Sequence, residues 1–220
     1  MGEHSRTMSA VAERPDAAMS VEKYGEHAGD YDVASAGAHA VRAWAVRLLD
    51  LRRGDVVLDA GCGTGLNFGL IGERIGRTGQ IIGIELCPAM LERAQERLDE
   101  SECAGTLVES AVEEADVPTT ADAALFSYTH DVVRSPEAIE NVFGHLRPGA
   151  RVAAAGLMSP SLWSPIGGYV QRLAREYATT LEGFDRPWSH LERFLPYLEV
   201  EEQIGLGGAY IASGTVMRER

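Results

Sequence analysis

The 220-residue chain is predicted to fold as a doubly wound α/β domain, and three observations predict it. Val56-Val57-Leu58 is a short apolar run of the kind buried on both faces of a parallel sheet; it stops at Asp59, and Gly61, Gly63 and Gly65 then turn the chain. A second run, Gln80-Ile81-Ile82-Gly83-Ile84-Glu85, ends in a carboxylate. Beyond it, strand-like and helix-like segments alternate at a spacing that predicts a parallel sheet with both faces covered.

Residues 1–20, rich in Glu, Arg, Ala and Ser, are expected to be a loosely ordered tail, and residues 21–220 one domain. Residues 21–34 read as a short helix and turn carrying Tyr24 and Tyr31. Val41, Trp44, Leu48 and Leu51 recur at helical spacing, so 39–51 predicts an amphipathic helix. Arg53-Gly54-Asp55 turns into the first strand, and 66–75 follow as a helix stopped by Gly76 and Gly79. Pro88 suits the first turn of the next helix, which runs through Met90, Leu91, Ala94 and Leu98. A third strand is expected at 105–109 and a fourth at 121–127. Ser135-Pro136-Glu137 starts a helix ending near Leu146, and 150–156 make the fifth strand. Helical segments near 165–180 and 187–195 precede strand-like stretches at 198–204 and 208–217. Nothing repeats, and no linker divides the chain.

The formal charge of −13 argues against nonspecific binding to nucleic acid, which needs clustered Lys and Arg, and against an anionic membrane surface. Cys62, Cys87 and Cys103 are odd in number and show no C-x-x-C spacing, so neither a disulfide framework nor a zinc site is suggested. No His and carboxylate cluster has metal-ligand spacing, and no metal is expected. The first residues lack an apolar core of the signal-peptide kind, and no run is long enough to span a bilayer. Together with thiols in two loops, this points to the cytoplasm.

A Gly-rich turn after the first strand, with an acid ending the second, is how doubly wound folds hold an adenosine. The dinucleotide fingerprint would need glycine at position 66, where Leu66 stands, and a P-loop would need Gly-Lys-Ser/Thr after Gly65. Asp59-Ala60-Gly61-Cys62-Gly63-Thr64-Gly65 instead resembles the first motif of class I S-adenosylmethionine-dependent methyltransferases. Ile84-Glu85-Leu86-Cys87-Pro88-Ala89-Met90-Leu91 is similar to the family's acidic second-strand motif. Leu125-Phe126-Ser127-Tyr128 resembles its fourth strand, and Leu146-Arg147-Pro148-Gly149-Ala150-Arg151-Val152 its turn into the fifth. The resemblance implies a Rossmann-like, seven-stranded, mostly parallel sheet whose last strand is antiparallel, under an N-terminal helical lid. It implies S-adenosylmethionine as cofactor and a transferase, most simply one that methylates a small molecule. A protein that keeps the fold without turnover is the reading from another class; the intact glycine loop and Glu85 speak against it.

In that frame Glu85 accepts the ribose hydroxyls, and backbone around Gly61, Cys62, Gly63 and Gly65 meets the methionine portion. Asp59 either orders the loop or reaches the cofactor's ammonium group, Asn67 bonds the amino-acid end or local backbone, and Leu86 and Ser127 flank the site. Many relatives place an acid after the third strand to hold the adenine amine. Here Ser110-Ala111-Val112 stands there, so backbone of Ala111 and Val112, or Glu113, has to substitute.

Methyl transfer needs an aligned nucleophile, excluded water and sometimes a base. His130, after the fourth strand, either serves as that base or faces solvent while Thr129 or Asp131 caps a helix. Tyr24 and Tyr31 either close over the sulfonium or merely pack the N-terminal helix. Tyr128, Trp163, Tyr169 and Trp188 are candidates for a substrate wall, although aromatics there equally suit helix packing. Thr64-Gly65-Leu66-Asn67-Phe68, Phe126 to Val133 and Asp185-Arg186-Pro187-Trp188 are also similar to a bacterial group of small class I proteins. That group is associated with phospholipid or small-molecule N-methylation and with 3-amino-3-carboxypropyl transfer. The likeness leaves open a second outcome, in which the other C–S bond breaks by transfer or by cyclisation to a small cyclic amino acid, releasing 5′-methylthioadenosine.

Overall fold

The computed structural model describes residues 15–161 and 163–217. Most of the expected tail, residues 1–14, therefore lies outside the described residues. Its boundary moves, because Asp16 accepts the amide of Met19 at 2.9 Å and caps a helix, α1, over Ala17–His27. A short helix α2 (Tyr31–Ala34) and a 3-10 turn (Ala36–Ala38) lead into α3 (His39–Leu48). The stripe that α3 buries is Arg42, Ala45, Val46 and Leu49, one position beyond the predicted Val41, Trp44 and Leu48, which are only partly buried.

The Rossmann-like core then alternates: β1 (Val56–Ala60), α4 (Phe68–Ile75), β2 (Gln80–Glu85), α5 (Pro88–Glu100), β3 (Ala104–Glu109) and β4 (Ala121–Ser127). A single turn α6 (His130–Val133) and α7 (Pro136–Gly144) follow β4. Ser135 caps α7 by accepting the amide of Ala138 at 3.2 Å. Strand β5 runs over Leu146–Leu157, starting before the predicted residue 150 because Leu146 already pairs with Ala121. Helix α8 (Gly167–Tyr177), a 3-10 stretch (Pro187–Arg193), β6 (Glu199–Gln203), the short α9 (Ile204–Gly207) and β7 (Ala209–Thr215) complete the chain.

Seven strands lie in the order β3-β2-β1-β4-β5-β7-β6. Neighbours from β3 through β5 are parallel, whereas β7 runs antiparallel to both β5 and β6. Strand alternation sends Leu58, Ile82, Ala124 and Val152 to one face, under α7 and Trp188. Val57, Ile81, Leu125 and Ala153 go to the other, under α3, α4 and α5. The strand order reverses between β1 and β4, so the helices that follow these two strands leave in opposite directions and open a crevice beyond their carboxyl ends. Among the described residues no helix is long and apolar enough to cross a membrane.

Candidate active site

The crevice at this switch point has a volume of about 380 Å³. Its floor is the loop between β1 and α4, where Gly61, Gly63 and Gly65 all have positive φ, at 74°, 57° and 78°. The three glycines do different work. A Cβ on Gly61 would lie 2.6 Å from Cγ2 of Thr129, and one on Gly65 would lie 2.8 Å from the Phe68 ring, so both are required by packing. A Cβ on Gly63 would meet no heavy atom within 4 Å. Only Gly63 turns bare main chain into open crevice, as close approach of a ligand demands.

Glu85, at the end of β2, lines the crevice beside that glycine. Its carboxylate accepts the Gly63 amide at 2.9 Å and the Cys87 amide at 2.8 Å, one on each oxygen. Burial nevertheless raises its pKa, so these backbone bonds do not fully replace the lost water. Each oxygen keeps a further lone pair for a donor from the ligand. Leu86, Met90, Ser110, Ala111, Val112 and Glu113 also line the crevice. Asn141 of α7 holds the turn at Val112 in place, donating to the carbonyls of Val112 at 2.7 Å and Ala115 at 2.9 Å.

Beneath the loop, Asn67 donates to Asp59 at 3.0 Å, and Ser127 donates to Asn67 at 3.4 Å. Asp59 is fully buried, and its Oδ1 has no partner among the described residues. Loss of solvent pushes its pKa up to about 7, against the opposing pull of the Asn67 bond and the Arg42 charge. Cys62, Asn67 and Ser127 reach the crevice surface, whereas Asp59 and Gly65 lie behind it. Asp59 and Gly65 therefore act through the loop they shape.

Another part of the crevice wall is built after β4. Tyr128 takes φ +60°, a conformation uncommon for any residue with a side chain, and lays its ring under the Arg42 guanidinium. His130 lines the crevice, edge-on to Phe184 at 5.3 Å between centroids, and neither ring nitrogen has a partner among the described residues. Burial, helped by the nearby Arg134 charge, lowers its pKa to about 4. The imidazole is thus neutral near pH 7, and its two nitrogens are buried at the crevice wall rather than exposed to solvent. Asp131 does not cap its own helix; it reaches across to accept the Thr179 hydroxyl at 2.8 Å and the Thr179 amide at 2.9 Å.

The N-terminal lid closes the other side. Lys23 of α1 is buried and donates to the carbonyls of Ala178 at 2.7 Å and Arg175 at 3.0 Å, satisfying the carboxyl end of α8. Asp32 of α2 accepts Thr64 at 2.7 Å and pairs with Arg97, which clamps the lid onto the glycine loop. These ties gather Tyr24, Tyr31 and Tyr177 into one aromatic cluster on the crevice wall, with ring centroids 5.5–6.0 Å apart.

Two predicted substrate residues lie elsewhere. Trp188 is 2% exposed and packs on Tyr210 within the core, because the 3-10 stretch that carries it covers the sheet face. Trp163 is 93% exposed on a loop and does not line the crevice. Tyr128 and Tyr169 do line it. Lys23, Asp32, Arg42 and Asn141 were not legible as site residues. Arg42 left one trace: it begins the i, i+3, i+4, i+7 series with Ala45, Val46 and Leu49, where a charge facing the core is out of place.

Bare main chain at Gly63 and an acid at the neighbouring strand end, both on the crevice at the switch point, make a site suited to a nucleoside. The residues present fit an adenosine with an amino-acid tail: the Cβ of Gly63 would fill the space a ligand needs, and the lone pairs of Glu85 stand beside it. Residues 57–149 match the model of a methyltransferase domain. Over 74% of its length and 76% of the relative's, the chain is 30% identical to 2-phytyl-1,4-naphtoquinone methyltransferase of Thermosynechococcus vestitus. It is 30% identical to the ubiquinone/menaquinone biosynthesis C-methyltransferase of Hydrogenovibrio crunogenus, over 57% of this chain and 53% of that one. The SAM-dependent O-methyltransferase of Thermotoga maritima shares the fold, at a TM-score of 0.58 and 16% identity, over 82% of this chain and 66% of that one. The chain belongs to the class I S-adenosylmethionine-dependent methyltransferase family, and its cofactor is S-adenosylmethionine.

Proposed function

We propose that the enzyme methylates a small, largely apolar, ring-bearing molecule in the cytoplasm, with the chain from Asp16 onward acting as one methyltransferase domain. The observation that carries this reading is the wall facing the glycine loop, where Tyr24, Tyr31, Tyr169, Tyr177 and Phe184 converge. Aromatic side chains present wide apolar surface with polar tips, which suits flat acceptors. The quinone methyltransferases among its relatives act on molecules of that kind. The net charge of −13 supports a small acceptor over a nucleic acid. Three free, buried cysteines are compatible with a reducing compartment.

When bound, the cofactor supplies a methyl carbon activated by a positively charged sulfur. The protein's own part is to hold the acceptor in line and dry. Glu85, itself held by the Gly63 amide, would fix the nucleoside, and the lid tied by Lys23 and Asp32 would exclude water. His130 would orient the acceptor through a hydrogen bond to a hydroxyl or N–H group. With its pKa lowered to about 4, it is matched to positioning more than to removing a proton near neutral pH.

Incubation of the pure protein with S-adenosylmethionine and a panel of reduced naphthoquinones, phenols and aryl amines, followed by mass spectrometry, tests this. Methylated product in equal amount to S-adenosylhomocysteine is expected. Accumulation of 5′-methylthioadenosine would mean that the other C–S bond breaks, and turnover of aliphatic acceptors alone would refute the aromatic wall. The pH profile of kcat/KM is expected to show no limb near pH 6.5 assignable to His130, and a limb there that vanishes in His130→Gln would restore it as the base.

A further inference from the structure

Helix α8 belongs to neither of the apolar clusters that sandwich the sheet; it buries Val170 and Ala174 in a small separate cluster with Phe184. The main core therefore does not fix its position, yet it carries Tyr169, Leu173 and Tyr177 on the crevice wall. Polar ties at its carboxyl end do that work. Asp131, next to His130 in the segment after β4, accepts the Thr179 hydroxyl at 2.8 Å and the Thr179 amide at 2.9 Å on one oxygen, and the Thr180 amide at 3.3 Å on the other. Both threonines are fully buried, and a buried amide left without an acceptor costs its full desolvation. The Thr179 hydroxyl also accepts the Asp16 amide at 3.0 Å, at the start of α1. An amide only donates, so the hydroxyl's one proton goes to Asp131, and the bonds run one way from the lid through Thr179 to the carboxylate. Loss of solvent raises the Asp131 pKa, against the pull of the Thr179 and Thr180 bonds and of the Lys23 charge on α1.

We propose that Asp131 is a positioning residue for the acceptor: through Thr179 it sets α8 and the start of α1 against the segment that carries His130. The inference rests on the reading of the aromatic wall as the acceptor's side of the crevice. The lid is held on the glycine loop by separate bonds, from Asp32 to Thr64 and Arg97. Loss of the Asp131 tie therefore falls on the acceptor and spares the nucleoside.

Three variants of the full chain test this beside the wild type. Thr179→Val keeps the shape and the amide but loses the hydroxyl, Thr179→Ser keeps the hydroxyl, and Asp131→Asn turns one acceptor oxygen into a donor that faces N–H and O–H groups. Hydrogen exchange reads the position of α8 directly. Its amides should exchange about tenfold faster in Thr179→Val and Asp131→Asn, with those of α4 and α5 unchanged. Calorimetry then measures S-adenosylhomocysteine on each protein, and 2-naphthol, a flat phenol, on each protein saturated with that nucleoside. In the same two variants 2-naphthol should weaken by about tenfold while S-adenosylhomocysteine stays within about twofold, and Thr179→Ser should behave as the wild type. Parallel loss of both ligands, as a general loosening of the fold would give, would overturn the proposal. So would unaltered exchange in α8, or 2-naphthol affinity equal in all four proteins. Failure of 2-naphthol to bind the saturated wild type would instead overturn the acceptor reading of the wall, and the role given to Asp131 with it.

Discussion

Replacing Glu85 by alanine tests the site most directly. In the free protein its carboxylate carries two backbone amides, at 2.9 and 2.8 Å, and burial still raises its pKa. The site therefore retains unmet demand for donors, and two ribose hydroxyls would supply it. Hydrogen bonds to a charged group are worth roughly 1.5–3 kcal/mol each, less the hydration the hydroxyls give up. Alanine removes those bonds and also frees the Gly63 amide from its fixed direction. A net loss of about 2 kcal/mol or more is expected, a roughly 30-fold rise in Kd for S-adenosylhomocysteine by calorimetry. A ligand lacking the 2′-hydroxyl closes the cycle: its affinity should fall on the wild type and change little on Glu85→Ala. Because the bonds require the carboxylate form, wild-type affinity should also decline as the pH is lowered through the acid range, and the variant should lack that decline. An unchanged Kd, or equal sensitivity of both proteins to the missing hydroxyl, would show that the ribose sits elsewhere.

The glycines should divide by their surroundings. Gly63→Ala faces open space, so it should fold with a loss of about 1–2 kcal/mol from its φ of 57° and yet bind the nucleoside much more weakly; Gly65→Ala, blocked 2.8 Å away by Phe68, should lose stability first. Denaturant melts paired with titrations check both. Asp59 should govern a pH dependence of folding. Its folded pKa of about 7 lies above the ordinary 3.8, so its contribution is present below about pH 4 and is lost as the pH rises through 7. Three pKa units correspond to roughly 4 kcal/mol. His130, lowered to about 4, has the opposite sign, its contribution being lost as the pH falls from 6.5 toward 4. The Tm difference between Asp59→Asn and wild type should therefore grow in favour of the variant from pH 5 to pH 8, and a difference constant with pH would refute the buried, weakly compensated carboxyl.

The glycine loop and the acid beside it were readable in the chain because they are made of local signals. A glycine run after an apolar strand is visible in a few residues, and Glu85 is found by counting to the end of the next strand. The aromatic candidates were harder to assign. Trp188 and Tyr128 are equally plausible as wall residues in one dimension, and only the path of the 3-10 stretch sends Trp188 under the sheet. His130 could be placed near the site from its position after β4, but its ionisation could not, since burial against Phe184 sets it. The lid ties escaped altogether: Lys23 and Ala178 are 155 residues apart, and Asp32 and Arg97 are 65 apart.

The succession of strands along the chain, the glycine turn after the first and the acid that ends the second follow from hydrophobic runs and from glycine's freedom, both written in the sequence. Which glycine is open, which ring lines the cavity and which charge is left unpaired were decided only when distant segments packed together. Burial and pairing depend on neighbours in space, and a chain that brings α3 against β4 and β5, and α1 against α8, assigns those neighbours without any local mark.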